Sequence, residues 1–123
     1  MGKGVTLWNL MLDDKKGPYS PANGSCKTCY GAVEISSSDY STLNYRSHYY
    51  NIAHASKVIK PGAVRVAASD ISLDGISYLV FKNTDNTVGV IILSKASAEQ
   101  SLVFSIGNHT VKYSIPAKSL VSL

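Results

Sequence analysis

The sequence predicts a mainly β fold: an antiparallel β-sandwich, preceded by one α-helix and by a separate, unusually apolar strand. Three observations predict it. With 45% hydrophobic and 16% charged residues, the chain suits a packed core and has too little charge for a disordered tail or a coiled coil. Its 9 Gly and 8 Tyr, with many Ser, Thr and Val, favour strands and turns over helices. From Ala63 onward, short apolar runs recur every ~10–13 residues with turn residues between them, the rhythm of a sandwich. The 123 residues suffice for one core and little more. No run approaches the ~18–20 apolar residues of a membrane span.

Val5 to Leu12 is almost continuously apolar. Such a run fits a strand buried on both faces, as in a parallel sheet or barrel. Asp13 to Gly31 then reads as a long loop punctuated by Gly17-Pro18, Pro21 and Asn23-Gly24; structureless loops of this length are often functional. Ala32 to Ile35 is a short strand, and Ser36 to Asp39 a polar turn. A helix is expected over about Tyr45 to Ile59, where Tyr49, Ile52, Ala53, Ser56 and Ile59 recur at helical spacing as a packing face. Pro61-Gly62 stops it, and Lys57 and Lys60 suit its negative C-terminal end. Strands follow at Val64–Val66, Ile76–Phe81, Val88–Leu93, Leu102–Ile106, Thr110–Ile115 and Leu120–Leu123. Asp74-Gly75, Thr84-Asp85-Asn86, Ser97-Ala98-Glu99 and Gly107-Asn108 supply the turns.

The net charge of +4 invites a nucleic-acid reading, but the charges lack the footprint. Basic residues are spread over both halves, and the one adjacent pair, Lys15-Lys16, follows Asp13-Asp14 directly. Arg, the preferred fork for phosphate, occurs only at 46 and 65. The C-x-x-C pair Cys26 and Cys29 admits three readings: half a zinc site, a thioredoxin-like redox pair, or a local disulfide or pair of quiet thiols pinning a loop. Neither a second C-x-x-C nor a spaced His pair completes a metal site, and loop residues flank the pair where a redox motif needs a strand and a helix. The loop pin is favoured, which tilts the compartment towards oxidising. Val5 to Leu12 also has neither the length nor the cleavage site of a signal peptide.

Glycoside hydrolysis usually needs two facing carboxyls. Only Asp13, Asp14 and Glu34 lie near the apolar strand and its loop, and nothing in the sequence forces two of them into one cleft. No G-x-S-x-G elbow, phosphate-cradling loop or metal-spaced histidine set is present. No catalytic residue, metal ligand or cofactor is therefore assigned. Tyr45, Tyr49 and Tyr50 are read as packing face and rim of the helix in preference to a ligand-stacking set.

One ordered pattern goes further. Trp8-Asn9-Leu10, Gly17-Pro18 and then Tyr49-Tyr50-x-x-x-His54-x-Ser56-Lys57-x-Ile59-x-Pro61-Gly62-Ala63-x-Arg65-Val66 resemble the C-terminal part of glycoside hydrolase family 30. There the chain reads W-N-L near the last barrel strand, then G-G-P, then a helix ending in a Y-Y…H-F-S-K-F-I-x-P-G-A-x-R-I signature, then a β-sandwich. The match is dense over 45–66 and thin afterwards, where the Phe81-x-Asn83-x-Asp85 turn persists. Two departures stand out: Ala53-His54-Ala55 replaces G-H-F, and Lys16 occupies the first glycine of G-G-P. The Cys26–Gly31 segment is closer to endo-β-1,6-glucanase-like and bacterial branches than to the glucosylceramidase form, and the resemblance leaves the parent's substrate open between glucosylceramide-type and β-1,6-glucan-type glucosides.

The resemblance implies a parent enzyme whose catalytic glutamates lie on barrel strands outside these residues. Residues 1–12 would be the remnant of the last barrel strand, 13–31 its loop, 32–62 a short strand and helix linking barrel to sandwich, and 63–123 the sandwich. Residues 4–12, lacking barrel neighbours, would be disordered, paired onto the sandwich, or paired with another copy. Trp8 and Asn9 would border the sugar pocket, one offering an apolar face and the other a hydrogen bond, with Asn23 on the loop that reaches it. A core role for Trp8 is the structural alternative. The expected partner is the catalytic barrel, and through it a β-glucoside or glucan, in a secreted, periplasmic or lysosome-like setting. The chain alone would be inactive. A free-standing carbohydrate-binding sandwich is the competing function, and an enzyme acting through the Cys pair a third.

Overall fold

The computed structural model describes residues 4–20, 24, 26–69, 71 and 73–123. The backbone divides into two compact units, one reaching to Ile52 and the other running from Ala53 to Leu123.

The first unit is built on three short strands, β1 (Met11–Asp13), β2 (Val33–Ile35) and β3 (Leu43–Tyr45). β1 runs parallel to β2, with Met11 opposite Val33, and β3 returns antiparallel, with Val33 opposite Tyr45. The expected eight-residue strand is thus realised only at its end. Residues 4–10 carry no ladder, and Val5, Trp8 and Leu10 are 78%, 71% and 69% exposed. Asn9 adopts φ 60°, outside the extended region, and its Oδ1 accepts a hydrogen bond from Met11 N at 3.1 Å. That local turn ends extended backbone before the strand begins. Met11 to Asp13 pairs with β2 of its own unit and not with the sandwich.

Gly31 makes this pairing possible. A Cβ there would lie 2.6 Å from Leu12 N and 2.8 Å from Val33 O, so only glycine lets the two backbones approach this closely. Beyond β1, Asp13 closes a tight turn. Gly17 N donates to its Oδ1 at 2.6 Å, and Lys16 N to its carbonyl at 2.8 Å. Asp14 Oδ1 accepts from Ser37 N at 2.9 Å, and these Ser37 hydrogen bonds hold its carboxyl below the usual carboxylate value.

The helix α1 (Ser47–Val58) starts two residues later than the spacing predicts, because Leu43 to Tyr45 is drawn into the sheet as β3. Its packing side overlaps the expectation in part: Tyr49, Ala53 and Ile59 are half-buried as expected, Ile52 and Ser56 are exposed, and His54 and Val58, one turn apart, are half-buried as well. His54 Nδ1 lies 3.0 Å from Ser122 Oγ, and the Val58 carbonyl rests on Gly89, where a Cβ would approach it to 2.3 Å.

The second unit is the sandwich. β4 (Val64–Val66), β5 (Ile76–Lys82), β6 (Val88–Ser94) and β9 (Leu120–Ser122) form one antiparallel sheet in the order β4-β5-β6-β9. β7 (Gln100–Ile106) and β8 (His109–Ile115) form a hairpin, turned at Gly107 with φ 58°. The strands match the sequence expectation to within two residues at either end. Val90, Ile92 and Val121 from the first sheet meet Leu102 and Ile115 from the hairpin, and Ile92 and Ile115 are fully buried. This is the alternating inward set of a two-layer β domain. Among the described residues, no helix is long and apolar enough to cross a membrane.

Asn83 fastens the end of α1 to the sandwich. Only 4% exposed, it donates from Nδ2 to the Val58 carbonyl and to Thr87 Oγ1, both at 3.0 Å, and its Oδ1 accepts from Lys60 N at 3.0 Å. Beside it the Lys60 ammonium pairs with Asp85. The Lys60 contact first, then hydrogen bonds from Thr87, hold the Asp85 carboxyl far below its ordinary range. The helix C-terminus, rich in unsatisfied carbonyls, is thus capped by side chains from the β5–β6 turn.

Candidate functional site

Trp8, Asn9, Cys26 and Cys29 come together in the first unit. With Leu12, Lys16, Pro18 and Tyr19 they line a cleft of about 640 Å³. Trp8 is not a core residue: at 71% exposed its ring stands on the cleft wall. Asn9 sits just before β1, its carbonyl accepting from Ala32 N at 3.2 Å. With Oδ1 engaged by Met11 N, its amide nitrogen finds no acceptor among the described residues. Asn23, the third expected pocket residue, lies outside the described residues.

Cys26 and Cys29 are joined by a disulfide. It closes a small ring on the cleft wall, followed at once by Tyr30 and the backbone-contacting Gly31. Two cations stand over the Tyr30 ring, Lys16 Nζ at 5.0 Å and Arg46 Cζ at 4.7 Å from its centroid. Such cations are attracted by the negative face of the ring. Arg46 is neutralised by an ion pair to Glu34, while its Nε is buried without a hydrogen-bond partner among the described residues.

Each carboxylate considered for catalysis is engaged in local structure: Asp13 in the β1 turn, Asp14 on Ser37, and Glu34 on Arg46. Among the described residues, no group of three His, Cys, Asp or Glu side chains is arranged to hold a metal. The arrangement suits recognition: an exposed indole, an amide donor and an ammonium converge on one hollow. Lys16 and Tyr30 escaped the sequence reading as site residues. The available signal was Lys16 standing where the resembled pattern has glycine.

Tyr45, Tyr49 and Tyr50 form a separate cluster with centroids 4.6, 5.5 and 6.4 Å apart. Its rings are tilted or edge-on, the geometry of mutual packing. In the second unit a cleft of about 810 Å³ continues the core between the sheets, and Lys82 is the one charged residue among those lining it.

A solved endo-β1,6-glucanase is 45% identical over 98% of this chain and 26% of its own length, with a TM-score of 0.91. An endo-1,6-β-D-glucanase of Neurospora crassa is 30% identical over 94 residues, 73% of this chain and 19% of the relative. A second, from Trichoderma harzianum, is 29% identical over the same share of this chain and 18% of the relative. SrfJ from Salmonella typhimurium shares the fold, with a TM-score of 0.76 at 17% identity over 92% of this chain and 24% of its own. The chain therefore spans about a fifth to a quarter of the proteins it matches. Residues 62–123, half of the sequence, match the glycosyl hydrolase family 30 beta sandwich domain, and with the sandwich observed over those residues the chain belongs to that family.

Proposed function

We propose that this chain is the sandwich-bearing, non-catalytic part of a retaining endo-β-1,6-glucanase-type glycoside hydrolase. It supports the catalytic barrel of its parent and contributes Trp8, Asn9 and Asn23 to the edge of the substrate pocket. The observation that carries the reading is the 45% identity over 98% of the chain to a solved endo-β1,6-glucanase. It favours a β-1,6-glucan over a glucosylceramide as the parent's substrate. The general acid and nucleophile are the barrel glutamates that the family resemblance implies. Trp8 offers its ring to the C–H face of a sugar, and the Asn9 amide donates to a hydroxyl.

Surface chemistry supports a covering partner for the first unit. Val5, Leu7, Trp8, Leu10 and Met11 are all substantially exposed in one continuous stretch. Contiguous apolar exposure marks an interaction surface. The disulfide supports an oxidising compartment for the parent.

A hybrid enzyme tests the reading. This chain replaces the equivalent C-terminal quarter of the solved endo-β1,6-glucanase, and endo-hydrolysis of β-1,6-glucan is followed. The hybrid is expected to retain turnover, and the chain alone to show none. Turnover by the chain alone, or a folded hybrid without activity, would overturn the proposal. Glucan binding by the chain without its barrel would favour a free-standing carbohydrate-binding module.

A further inference from the structure

Lys16 combines three features that a turn residue does not need. Its backbone sits at φ 68°, in the left-handed region where a side chain costs energy that glycine avoids. Its side chain lines the cleft that holds Trp8 and Asn9. Its ammonium, held 5.0 Å from the Tyr30 centroid, has neither a carboxylate nor a hydrogen-bond acceptor among the described residues. Strain alone carries nothing: Tyr40 and Lys118 are also left-handed, yet they line neither cleft. Strain at a cleft wall, on a side chain whose donors are unspent among the described residues, is a different matter.

We propose that Lys16 is a specificity-determining residue of the sugar pocket, donating from Nζ to hydroxyl oxygens of the bound β-1,6-glucan, and that Tyr30 is the positioning residue that aims it. This rests on the glucanase reading above. The ammonium carries three donors and no acceptor, so it complements hydroxyl oxygens and not N–H groups. Left to itself, a lysine stem samples many rotamers; the Tyr30 ring restricts it and lessens the entropy lost on binding. Arg46 holds the same ring from its Glu34 ion pair, and Gly31 locks the adjoining backbone onto β1. The Cys26–Cys29 bridge fixes the residue before Tyr30. The ring that aims Lys16 is therefore itself held from three sides.

The hybrid enzyme supplies the test, with kcat, KM and thermal midpoint measured for each variant. Lys16→Gly is expected to raise KM roughly 10- to 100-fold, the range for one hydrogen bond to a charged donor, with kcat little changed. Its thermal midpoint should hold or rise, because the left-handed backbone is relieved. Lys16→Met should raise KM equally without that thermal gain. Tyr30→Phe should keep the parent KM, and Tyr30→Leu should raise it about 2- to 5-fold. A turn-supporting lysine would behave in reverse, losing stability in Lys16→Gly with KM unmoved, and that result overturns the assignment. An unsubstituted hybrid that folds without turnover would overturn the glucanase reading and this inference together. An active hybrid with KM unmoved in Lys16→Gly and Lys16→Met removes only the inference.

Discussion

Asn83→Ala is the substitution whose cost the structure specifies best. The side chain is 4% exposed and makes three hydrogen bonds at 3.0 Å, two of them to the backbone around the end of α1. Alanine removes the donor to the Val58 carbonyl and the acceptor for Lys60 N in a place that water reaches poorly. Three lost hydrogen bonds at about 1 kcal/mol each, with an added penalty where a partner stays dry, give a destabilisation of roughly 3–4 kcal/mol. That is a large share of the ~5–15 kcal/mol holding a typical domain together. The assay is urea unfolding followed by far-UV circular dichroism, because the single tryptophan, Trp8, lies in the other unit and would not report on the sandwich. Hydrogen exchange at Lys60 N should accelerate in parallel. Asn83→Asp keeps the acceptor for Lys60 but turns a carboxylate towards the Val58 carbonyl, so near neutral pH it should be at least as damaging and should recover on acidification. A loss below about 0.5 kcal/mol in Asn83→Ala, within the range of an ordinary surface change, would refute the claim that this residue fastens the helix.

Four further outcomes follow from the same structure. Gly89→Ala places a methyl 2.3 Å from the Val58 carbonyl and should cost about 1–3 kcal/mol by urea unfolding, as overpacking does. Ser94→Ala removes a buried hydroxyl that has no hydrogen-bond partner among the described residues, and should be neutral or stabilising by up to about 1 kcal/mol in the same assay. The carboxyls of Asp85 and Asp39 are both depressed, the first by Lys60 and Thr87, the second by Thr42 and Ser41. A depressed carboxyl contributes stability that is complete above its unfolded value near 3.8 and declines as the pH falls below it. Asp85→Asn should therefore shrink the fall in thermal midpoint between pH 5 and pH 2, to be checked by scanning calorimetry. Finally, reducing the Cys26–Cys29 bridge should leave the unfolding of the sandwich unchanged while raising the KM of the hybrid enzyme, since the bridge lies in the other unit beside the cleft.

Much of the sandwich was legible because its signals are local. Alternation with period two and the turn residues at 74–75, 84–86 and 107–108 mark each strand wherever the chain lies, and the observed strands Ile76–Lys82 and Val88–Ser94 differ little from expectation. Helix length was legible for the same reason, but its packing side only in part: Tyr49, Ala53 and Ile59 are half-buried, while His54 and Val58 were not expected there. Which face is covered depends on where Gly89 and Ser122 stand, and both are remote in sequence. β3 was missed because Leu43 to Tyr45 has no alternation of its own and becomes a strand only through its partner β2.

The candidate site divides along the same line. The amino-acid order alone determined the β-rich class, the sandwich rhythm, the family signature around the helix, and Trp8 and Asn9 as residues to watch. The first two depend on spacing that survives in any conformation, and Trp8 and Asn9 on the family resemblance that the signature carries. Tertiary structure decided that Val5 to Leu10 carries no ladder, because a strand exists only where a neighbour pairs with it. It also decided that Asn83 caps the helix from 23 residues away, and that Lys16, Tyr30 and Arg46 converge beside the cleft. Through-space contacts between segments far apart in the chain leave no periodic trace in it, so they become visible only once the backbone has brought those segments together.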